Sequence, residues 1–325
     1  KYGADGVRFG MLSSSPAGGD LLFDEKLCDQ GSKFSMKLWS AMGLLKNLKI
    51  DDAKKPNEVD LLASKWINHK MNAVVAEIEQ NFKEYRLSEA LTTLYSFVWN
   101  DFCSWYLEMV KPPYGEGISA ETRNMALDTY EQICIILHPF MPFITEEIWH
   151  LLKDRADGDD CIVSSYPKPS DYDSAYLKVI DQAKDVISNV RDIRNKNGLK
   201  MKEELDLYAI KSGSMEALLS TNGVSDMIVK LGNLKGIIVT DDENVNGASF
   251  ISGTEKFIVG MEQNLDIDAE IEEKEKELEY QRGFVGSINK KLSNERFVNN
   301  APEAVVANER KKMADGEARM KILTE

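Results

Sequence analysis

The stretch FVWNDFCSWYLEMVKP (97–112), followed by ICIILHPFMPFITEEIW (133–149), decides the fold of this chain. Apolar residues in and before the first run recur at steps of three and four, which places them on one face of a helix: Leu87, Leu91, Leu94, Val98, Phe102, Trp105 and Met109. A second broad apolar face leads into the other run: Met125, Ala126, Tyr130, Ile133, Ile136 and Leu137. Helical backbone is disfavoured at His138 because Pro139 follows, so this helix should end there, and Pro142 suits the first turn of another. The two runs predict the centre of a helical bundle.

Three large aromatic residues of the first run, Trp99, Trp105 and Tyr106, are predicted to lie in the core of the bundle. Trp105 shares the stripe of leucines, and large aromatic side chains contribute strongly to cores. The alternative is that they form exposed platforms on which nucleic-acid bases stack.

Composition indicates an ordinary globular protein of two or three domains: 325 residues, 43% apolar and 29% charged. The apolar runs are shorter than the roughly 18 residues that a membrane span needs, and no signal pattern opens the chain. We therefore expect a cytosolic protein. The cysteines, Cys28, Cys103, Cys134 and Cys161, are widely spaced, which favours buried reduced thiols over zinc ligands or disulfides.

A net charge of −14 argues against a nucleic-acid partner unless cations cluster locally. Such a cluster is predicted on a helix from Asp24 to Ile50, beside its apolar stripe of Leu27, Phe34, Leu38, Ala41, Leu45 and Leu48. The neighbouring stripe consists of Lys26, Lys33, Lys37, Ser40 and Leu44. These side chains predict either an RNA-binding face or a merely solvated one.

The two runs, in this order and at this distance, resemble the anticodon-binding helical bundle of the class I aminoacyl-tRNA synthetases for valine, isoleucine and leucine. In that family a helix reading roughly NKLWNA.RF contacts the anticodon loop. The resemblance implies this role for Lys26, Lys37, Ser40 and Leu44, with Lys33 on the same face. Ser40 stands where the valine enzymes usually have Asn, and Leu44 where a stacking Phe is found.

The first 25 residues resemble the segment that follows the KMSKS loop in these enzymes. Neither KMSKS nor HxGH occurs in the sequence, and the three histidines, His69, His138 and His150, are far apart. We therefore expect no catalytic residue and no metal ligand here, and expect ATP and Mg²⁺ to act only in an intact enzyme. The missing start methionine suggests a fragment, with its glycine-rich opening segment unable to fold alone.

Residues 168–265 are predicted to form a small α+β domain. An amphipathic helix over 176–190 continues into VRDIRNKNGLK (190–200), and LDLYAI, GIIVT, ASFI and KFIVG are strand candidates with short helices between them. Arg191 and Arg194 lie at the end of the helix, where its dipole favours cations, so a structural role is preferred over RNA contact.

The last sixty residues predict an antiparallel coiled coil of two helices. Apolar residues repeat every seven positions in both: Ile271, Leu278, Val285 and Leu292, then Val306, Met313 and Met320, with Ile288 and Leu323 in companion rows. Residues 266–279 hold eight acids and two lysines, whereas 280–312 are basic. The cationic tip is formed by Lys290, Lys291, Arg296, Arg310, Lys311 and Lys312, with Phe297 beside them.

The phrase KLSNERFVNNAPEAVVANERKK (291–312) resembles the C-terminal arm of the valyl-tRNA synthetases. The resemblance implies a mainly α protein divided into 1–50 (end of the catalytic domain and first bundle helix), 51–167 (anticodon-binding bundle), 168–265 (α+β linker domain) and 266–325 (coiled-coil arm). It implies tRNA(Val) as partner, no DNA or membrane, and a monomer. The alternatives are an isoleucine or leucine enzyme and a helical protein-interaction scaffold.

Overall fold

The computed structural model of the chain describes residues 1–15, 18–200, 203–261, 267–294, 297–298 and 301–324, without the side chains of 267–273. It is mainly helical, as predicted, with one four-stranded sheet in the described part. The chain divides into two compact units, Lys1–Ile180 and Asp181–Glu325. No helix within the described ranges combines the length and the apolar character that a membrane crossing requires.

The first unit is a helical bundle, called the bundle below. Its helices are α1 (Gly3–Ser13), α2 (Glu25–Asn47), α3 (Glu58–Lys83), α4 (Leu87–Ser96), α5 (Leu107–Val110), α6 (Ala120–Leu137) and α7 (Pro142–Leu152). A π-helical segment, Phe97–Tyr106, joins α4 to α5, and α8 (Ser174–Lys196) continues from the bundle into the second unit.

Helix α2 confirms the predicted helix and its apolar stripe. Asp24 caps its first turn, because the carboxylate accepts a hydrogen bond from the backbone N–H of Lys26 at 2.9 Å. Phe34, Leu38 and Leu45 are at most 1% exposed. The helix therefore buries one side in the bundle and leaves the opposite side available.

The π-helical segment changes which residues of the first run are buried. The prediction assumed one α-helix from Leu87 to Met109, but a π-helix has more residues per turn, so the apolar face is displaced along it. Tyr106 is fully buried, as predicted, whereas Trp105 is only half-buried and Leu87 is 42% exposed. The assignment of Trp105 to the core was wrong for this reason. Leu87, which precedes the π-helical segment, is exposed at the first residue of α4.

The bend between α6 and α7 lies where the two prolines predicted it. Helix α6 ends at Leu137 and Pro142 opens α7. The expected backbone distortion at His138 was wrong, since it keeps helical angles of φ −52° and ψ −42°. Beyond α7 the chain forms a 3₁₀ turn, Cys161–Val163, and continues without regular structure to Asp173.

The opening segment is a helix rather than the expected glycine-rich loop. Helix α1 packs closely on α2, because a Cβ on Gly10 would lie 2.4 Å from the sulfur of Cys28. Buried Asp5 accepts hydrogen bonds from the backbone N–H groups of Phe143 (3.3 Å) and Ile144 (2.6 Å) at the start of α7. Glycine here permits close helix packing, which tethers the segment to the bundle.

The second unit contains the predicted small α+β arrangement. Its elements are β1 (Leu205–Ile210), α9 (Gly213–Ser220), α10 (Val224–Gly232), β2 (Leu234–Thr240), β3 (Gly247–Ser252) and β4 (Glu255–Gly260). The strand order is β2-β1-β4-β3, with β1 and β2 parallel and the other neighbours antiparallel. All four strand candidates are confirmed.

Two long helices follow the sheet, α11 (Ile267–Leu292) and α12 (Glu303–Thr324). Glu277 of α11 pairs with Arg319 of α12, and Lys291 pairs with Glu309, so the helices run in opposite directions. Ile288 and Val306 are buried, at 1% and 8% exposure. The side chain of Ile271, the first predicted repeat position, lies outside the described residues.

Candidate nucleic-acid interface

The predicted anticodon-contacting residues lie on one side of α2, called the α2 face: Lys26, Lys33, Lys37, Ser40 and Leu44. Their spacing of seven, four, three and four residues keeps them in line on the helix surface. Lys26, Lys33 and Ser40 are exposed, and Lys37 and Leu44 are partly exposed. Since none is buried, the structure leaves this side of α2 accessible within the bundle.

Lys37 is the member of the α2 face with an aromatic neighbour. Its ammonium nitrogen lies 5.4 Å from the centroid of the Trp99 ring, within the range of a cation–π contact. Trp99 is half-buried and stacks on Tyr95, with ring centroids 5.5 Å apart and planes inclined by 26°. Behind this pair, Phe34 contacts the Tyr95 ring edge-on at 5.0 Å.

This aromatic neighbour was missed by the sequence reasoning, which placed Trp99 in the core. The structure holds Trp99 in an aromatic cluster but does not bury it fully. The signal that would have found it is spatial, since Lys37 and Trp99 belong to separate helices. An aromatic ring held beside a lysine suits single-stranded RNA, because a base can stack on the ring while the lysine contacts a phosphate.

Two other members of the α2 face already have partners. The Lys33 ammonium pairs with Asp29 one turn earlier at 2.7 Å, and both side chains are at least half exposed. The Ser40 hydroxyl donates to the Met36 carbonyl at 2.8 Å, so its proton is engaged within the helix and its oxygen remains an acceptor. The face therefore offers lysine charge and one aromatic ring rather than an amide that reads base edges.

Arg191 and Arg194 have the structural role that the sequence favoured. Arg194 is 2% exposed and donates from Nε to the Gly232 carbonyl at 3.1 Å and from Nη1 to the Glu203 carbonyl at 2.7 Å. Arg191 donates to the Leu231 carbonyl at 3.1 Å. Both arginines donate hydrogen bonds to backbone carbonyls at the end of α10, which have no partner within that helix. The prediction rested only on the dipole of the arginines' own helix and did not include these bonds.

The predicted cations of the two-helix tip are exposed where the structure describes them. Lys290, Lys291, Arg310, Lys311 and Lys312 are all exposed, and Phe297 is half-buried. Arg296 lies outside the described residues, so its predicted role is not placed. The described tip therefore presents positive charge, with Phe297 partly buried and Phe284 of α11 38% exposed.

The tip cations fall into two groups, those that pair with Glu309 and those that do not. The sequence reasoning did not single out this buried acid. Glu309 is 8% exposed and pairs with Lys312 at 2.9 Å and Lys291 at 3.7 Å. The hydrogen bond from Lys312 lowers the pKa of Glu309, so the carboxylate stays charged. Lys290, Arg310 and Lys311 have no ion-pair partner among the described residues.

The predicted burial of the cysteines is confirmed. All four cysteines are buried and unpaired. Burial raises the pKa of Cys103 to about 11 and that of Cys161 to about 12, so both thiols stay protonated near neutral pH.

Comparison with protein-family models gives two matches, and both concern tRNA. Residues 64–209 match the model described as the anticodon-binding domain of tRNA ligase, and residues 266–325 match the valyl tRNA synthetase tRNA binding arm. The class indicated is therefore the aminoacyl-tRNA ligases. The first match begins within α3, so the α2 face precedes the matched residues, whereas the tip cations lie within the second match.

Curated relatives identify the particular family. The chain is 42% identical over 330 residues to the valine–tRNA ligase of Bacteroides thetaiotaomicron and 41% identical over 326 residues to that of Bacteroides fragilis, each alignment covering 100% of the chain. The enzyme of Listeria monocytogenes is 34% identical over 97% of the chain. The chain spans 36% of the length of each of these relatives. It belongs to the valyl-tRNA synthetase family, and corresponds to the part with the anticodon-binding domain and the tRNA-binding arm.

Proposed function

We propose that this chain holds tRNA(Val) for a valine–tRNA ligase through two separate surfaces. The α2 face contacts the anticodon loop, with Lys26, Lys33 and Lys37 meeting phosphates and Ser40 and Leu44 lining the same face. The observation that carries the proposal is the position of Lys37 over the half-buried Trp99, because charge and a stacking surface meet at an accessible place.

The second surface is the tip of α11 and α12, which we propose form an antiparallel coiled coil and are called the arm below. This assignment is supported by the ion pairs between the two antiparallel helices and by the burial of Ile288 and Val306. The apolar residues also repeat every seven positions, as in a coiled coil. At about 1.5 Å per residue, helices of this length extend roughly 40 Å. The tip cations would then bind the RNA backbone, since lysine and arginine contact phosphates irrespective of sequence.

For the whole enzyme we propose the reaction named for the relatives, the ligation of valine to tRNA, using ATP and Mg²⁺ bound outside this chain. The chain alone is then inactive in forming valyl-adenylate. We keep the four domain ranges 1–50, 51–167, 168–265 and 266–325, with the last as the arm. A monomeric state and a cytoplasmic location stay predictions of the sequence.

The test of the proposal is direct binding of tRNA(Val) to the chain as salt is varied. Affinity should fall steeply with salt, because each neutralised phosphate releases counterions and adds about 0.9 to the slope of log affinity against log salt. Changing Lys33 to Ala should reduce the slope, by less than the roughly 0.9 of a full phosphate contact because Lys33 also pairs with Asp29.

A matched control is available on α3. Lys83 is as exposed as Lys33, 64% against 62%, and pairs with Glu79 at 2.9 Å in the same i, i+4 arrangement. Lys83→Ala should leave the slope unchanged. Equal slopes for all three proteins would remove the α2 face from the RNA interface, and binding that ignores salt would favour the protein-interaction scaffold instead.

A further inference from the structure

Three side chains from residues 146–160 meet around α7, and His138 lies next to them. Glu146 and His150 lie one turn apart on the helix, and Asp160 lies on the segment beyond it. His150 Nε2 is 3.0 Å from Asp160 Oδ1 and 3.3 Å from Glu146 Oε1. One ligand atom from each of the three lies within 4.8 Å of the others.

The fourth side chain, His138, points a buried ring nitrogen at the same carboxylate. Its Nε2 lies 3.9 Å from Glu146 Oε2 and, among the described residues, has no hydrogen-bond partner, although the residue is only 9% exposed. Buried polar atoms are nearly always satisfied, so this one needs an explanation.

The other ring nitrogen of His138 settles which atom carries the proton. The Thr145 hydroxyl donates to the Met141 carbonyl at 2.8 Å and lies 2.8 Å from His138 Nδ1. Because the single hydroxyl proton is used, Thr145 accepts from Nδ1–H, and a neutral ring then has its lone pair on Nε2. A lone pair facing a carboxylate without a donor between them is a place for a cation.

We propose that His138, Glu146, His150 and Asp160 bind a zinc ion. Two imidazole nitrogens and two carboxylate oxygens are a donor set that Zn²⁺ accepts, and ligand atoms about 2.1 Å from zinc in a tetrahedron lie about 3.4 Å from one another. The distances of 3.0 and 3.3 Å around His150 are close to this value. His138 Nε2 lies 3.9 Å from the other oxygen of Glu146, Oε2, and would complete the set by moving towards the ion.

The surroundings hold the ligands as metal sites usually do. The Glu146 carboxylate accepts hydrogen bonds from the backbone N–H groups of Cys161 (2.7 Å) and Ile162 (3.2 Å), and Thr145 orients the His138 ring. Zinc bound here would fasten the 3₁₀ turn Cys161–Val163 to the α6–α7 corner. This proposal departs from the sequence expectation, in which distant histidines indicated no metal site.

The test is a competition titration of Zn²⁺ alone, against a chelating dye, into the whole chain. One zinc per chain is expected, and Co²⁺ in its place should show the visible absorption of tetrahedral coordination. His150→Gln and Asp160→Asn change exposed ligands, so folding should survive, and each should weaken binding more than about tenfold. Thr145→Val removes the partner of His138 Nδ1, along with a hydrogen bond to the Met141 carbonyl, and should weaken zinc binding by about 10- to 100-fold.

The matched control is His69→Gln, because His69 is the one histidine of the chain outside the cluster. It should keep the affinity of the parent chain. Three results would overturn the proposal: the same zinc affinity in the parent chain and His150→Gln, the same loss of zinc affinity in His69→Gln as in His150→Gln, or no stoichiometric zinc binding. In each of these cases a protonated His138 paired with Glu146 would explain the cluster.

Discussion

In the function proposed here, the bundle and the arm each hold a polyanion on an acidic protein, by different means. On the bundle, Lys37 lies against an aromatic ring that is fixed from behind by Tyr95 and Phe34. On the arm, the described tip offers exposed cations whose buried neighbour, Glu309, is an acid. The difference teaches that the bundle is equipped to meet an unstacked base, whereas the arm is equipped to meet backbone charge.

The two regions also differ in how much core supports each surface. Phe102 in the bundle is fully buried and stacks on Tyr106 at 5.5 Å and Tyr130 at 5.2 Å. The arm is a pair of helices in which Ile288 and Val306 are the buried aliphatic side chains described. Gly316 lets the helices approach, since a Cβ there would lie 2.7 Å from Val285.

The largest expected effect tests this contrast in stability. Phe102→Ala should lower the free energy of unfolding of the bundle by about 3–5 kcal/mol, because a fully buried aromatic ring is replaced by a cavity. Like-for-like changes compare the two regions: Ile133→Val in the bundle and Ile288→Val in the arm should each cost about 0.5–1.5 kcal/mol, with the larger cost in the bundle. Urea unfolding followed by circular dichroism measures these costs, and equal costs for the two isoleucines would contradict the contrast.

The second prediction separates the cations of the arm. Neutralising Lys290, Arg310 and Lys311 together should reduce the salt slope of tRNA binding by about 2.7, at about 0.9 per phosphate contact. Neutralising Lys291 and Lys312 should reduce it by less per residue, because both already pair with Glu309. Filter binding over a salt series measures the slopes, and an equal change per residue would show that Glu309 does not divide the group.

The third prediction concerns the bundle alone. Lys37→Ala should reduce the slope by about one, whereas Trp99→Leu should leave the slope unchanged and weaken binding by about 1–3 kcal/mol through lost stacking. Fluorescence anisotropy with a labelled anticodon stem-loop measures both. If Trp99→Leu kept the affinity of the parent chain, the α2 face would bind RNA through charge alone, as proposed for the arm.

The smallest effect is a pH dependence, and it has opposite signs in the two regions. Lys312 holds the pKa of Glu309 below its ordinary value of 4.5, so its contribution to stability is present above that pH and is lost as the pH falls through the folded value. Burial raises the pKa of Asp5 above 3.8, so its ionised form costs stability, and acidification relieves that cost.

Thermal melting between neutral pH and pH 4 checks these signs. The stability difference between the parent and Glu309→Gln should shrink on acidification, whereas that between the parent and Asp5→Asn should shift in favour of the parent. The same direction of change in both variants would contradict the assigned causes.

Local patterns predicted much of the fold because they report local physics. The helix that begins after Asp24, the apolar face of α2 and the bend at Pro142 follow from neighbouring residues. The π-helical segment could not be predicted from the sequence, because an apolar period of three to four residues does not report a change in backbone hydrogen bonding. Trp105 was therefore assigned to the core wrongly.

The candidate sites were predicted less completely because they depend on distant residues. Lysine spacing identified the α2 face, but Trp99 joins Lys37 only through packing between helices. The tip cations were visible as a charge cluster, while the pairing of Lys291 with Glu309 requires two helices side by side. His138 and His150 meet around Glu146 for the same reason, through the corner between α6 and α7.

The central claim is that the chain grips tRNA at two surfaces with different requirements, and one comparison tests it most directly. Two variants are compared: a bundle variant that combines Lys37→Ala with Trp99→Leu, and an arm variant in which Lys290, Arg310 and Lys311 are all neutralised. The affinity of each is measured for tRNA(Val) with and without its anticodon stem. The bundle variant should lose affinity only for the intact RNA, and the arm variant should lose the same factor for both. If removing the anticodon stem changed the losses of both variants equally, the two surfaces would not be separate and the account would be wrong.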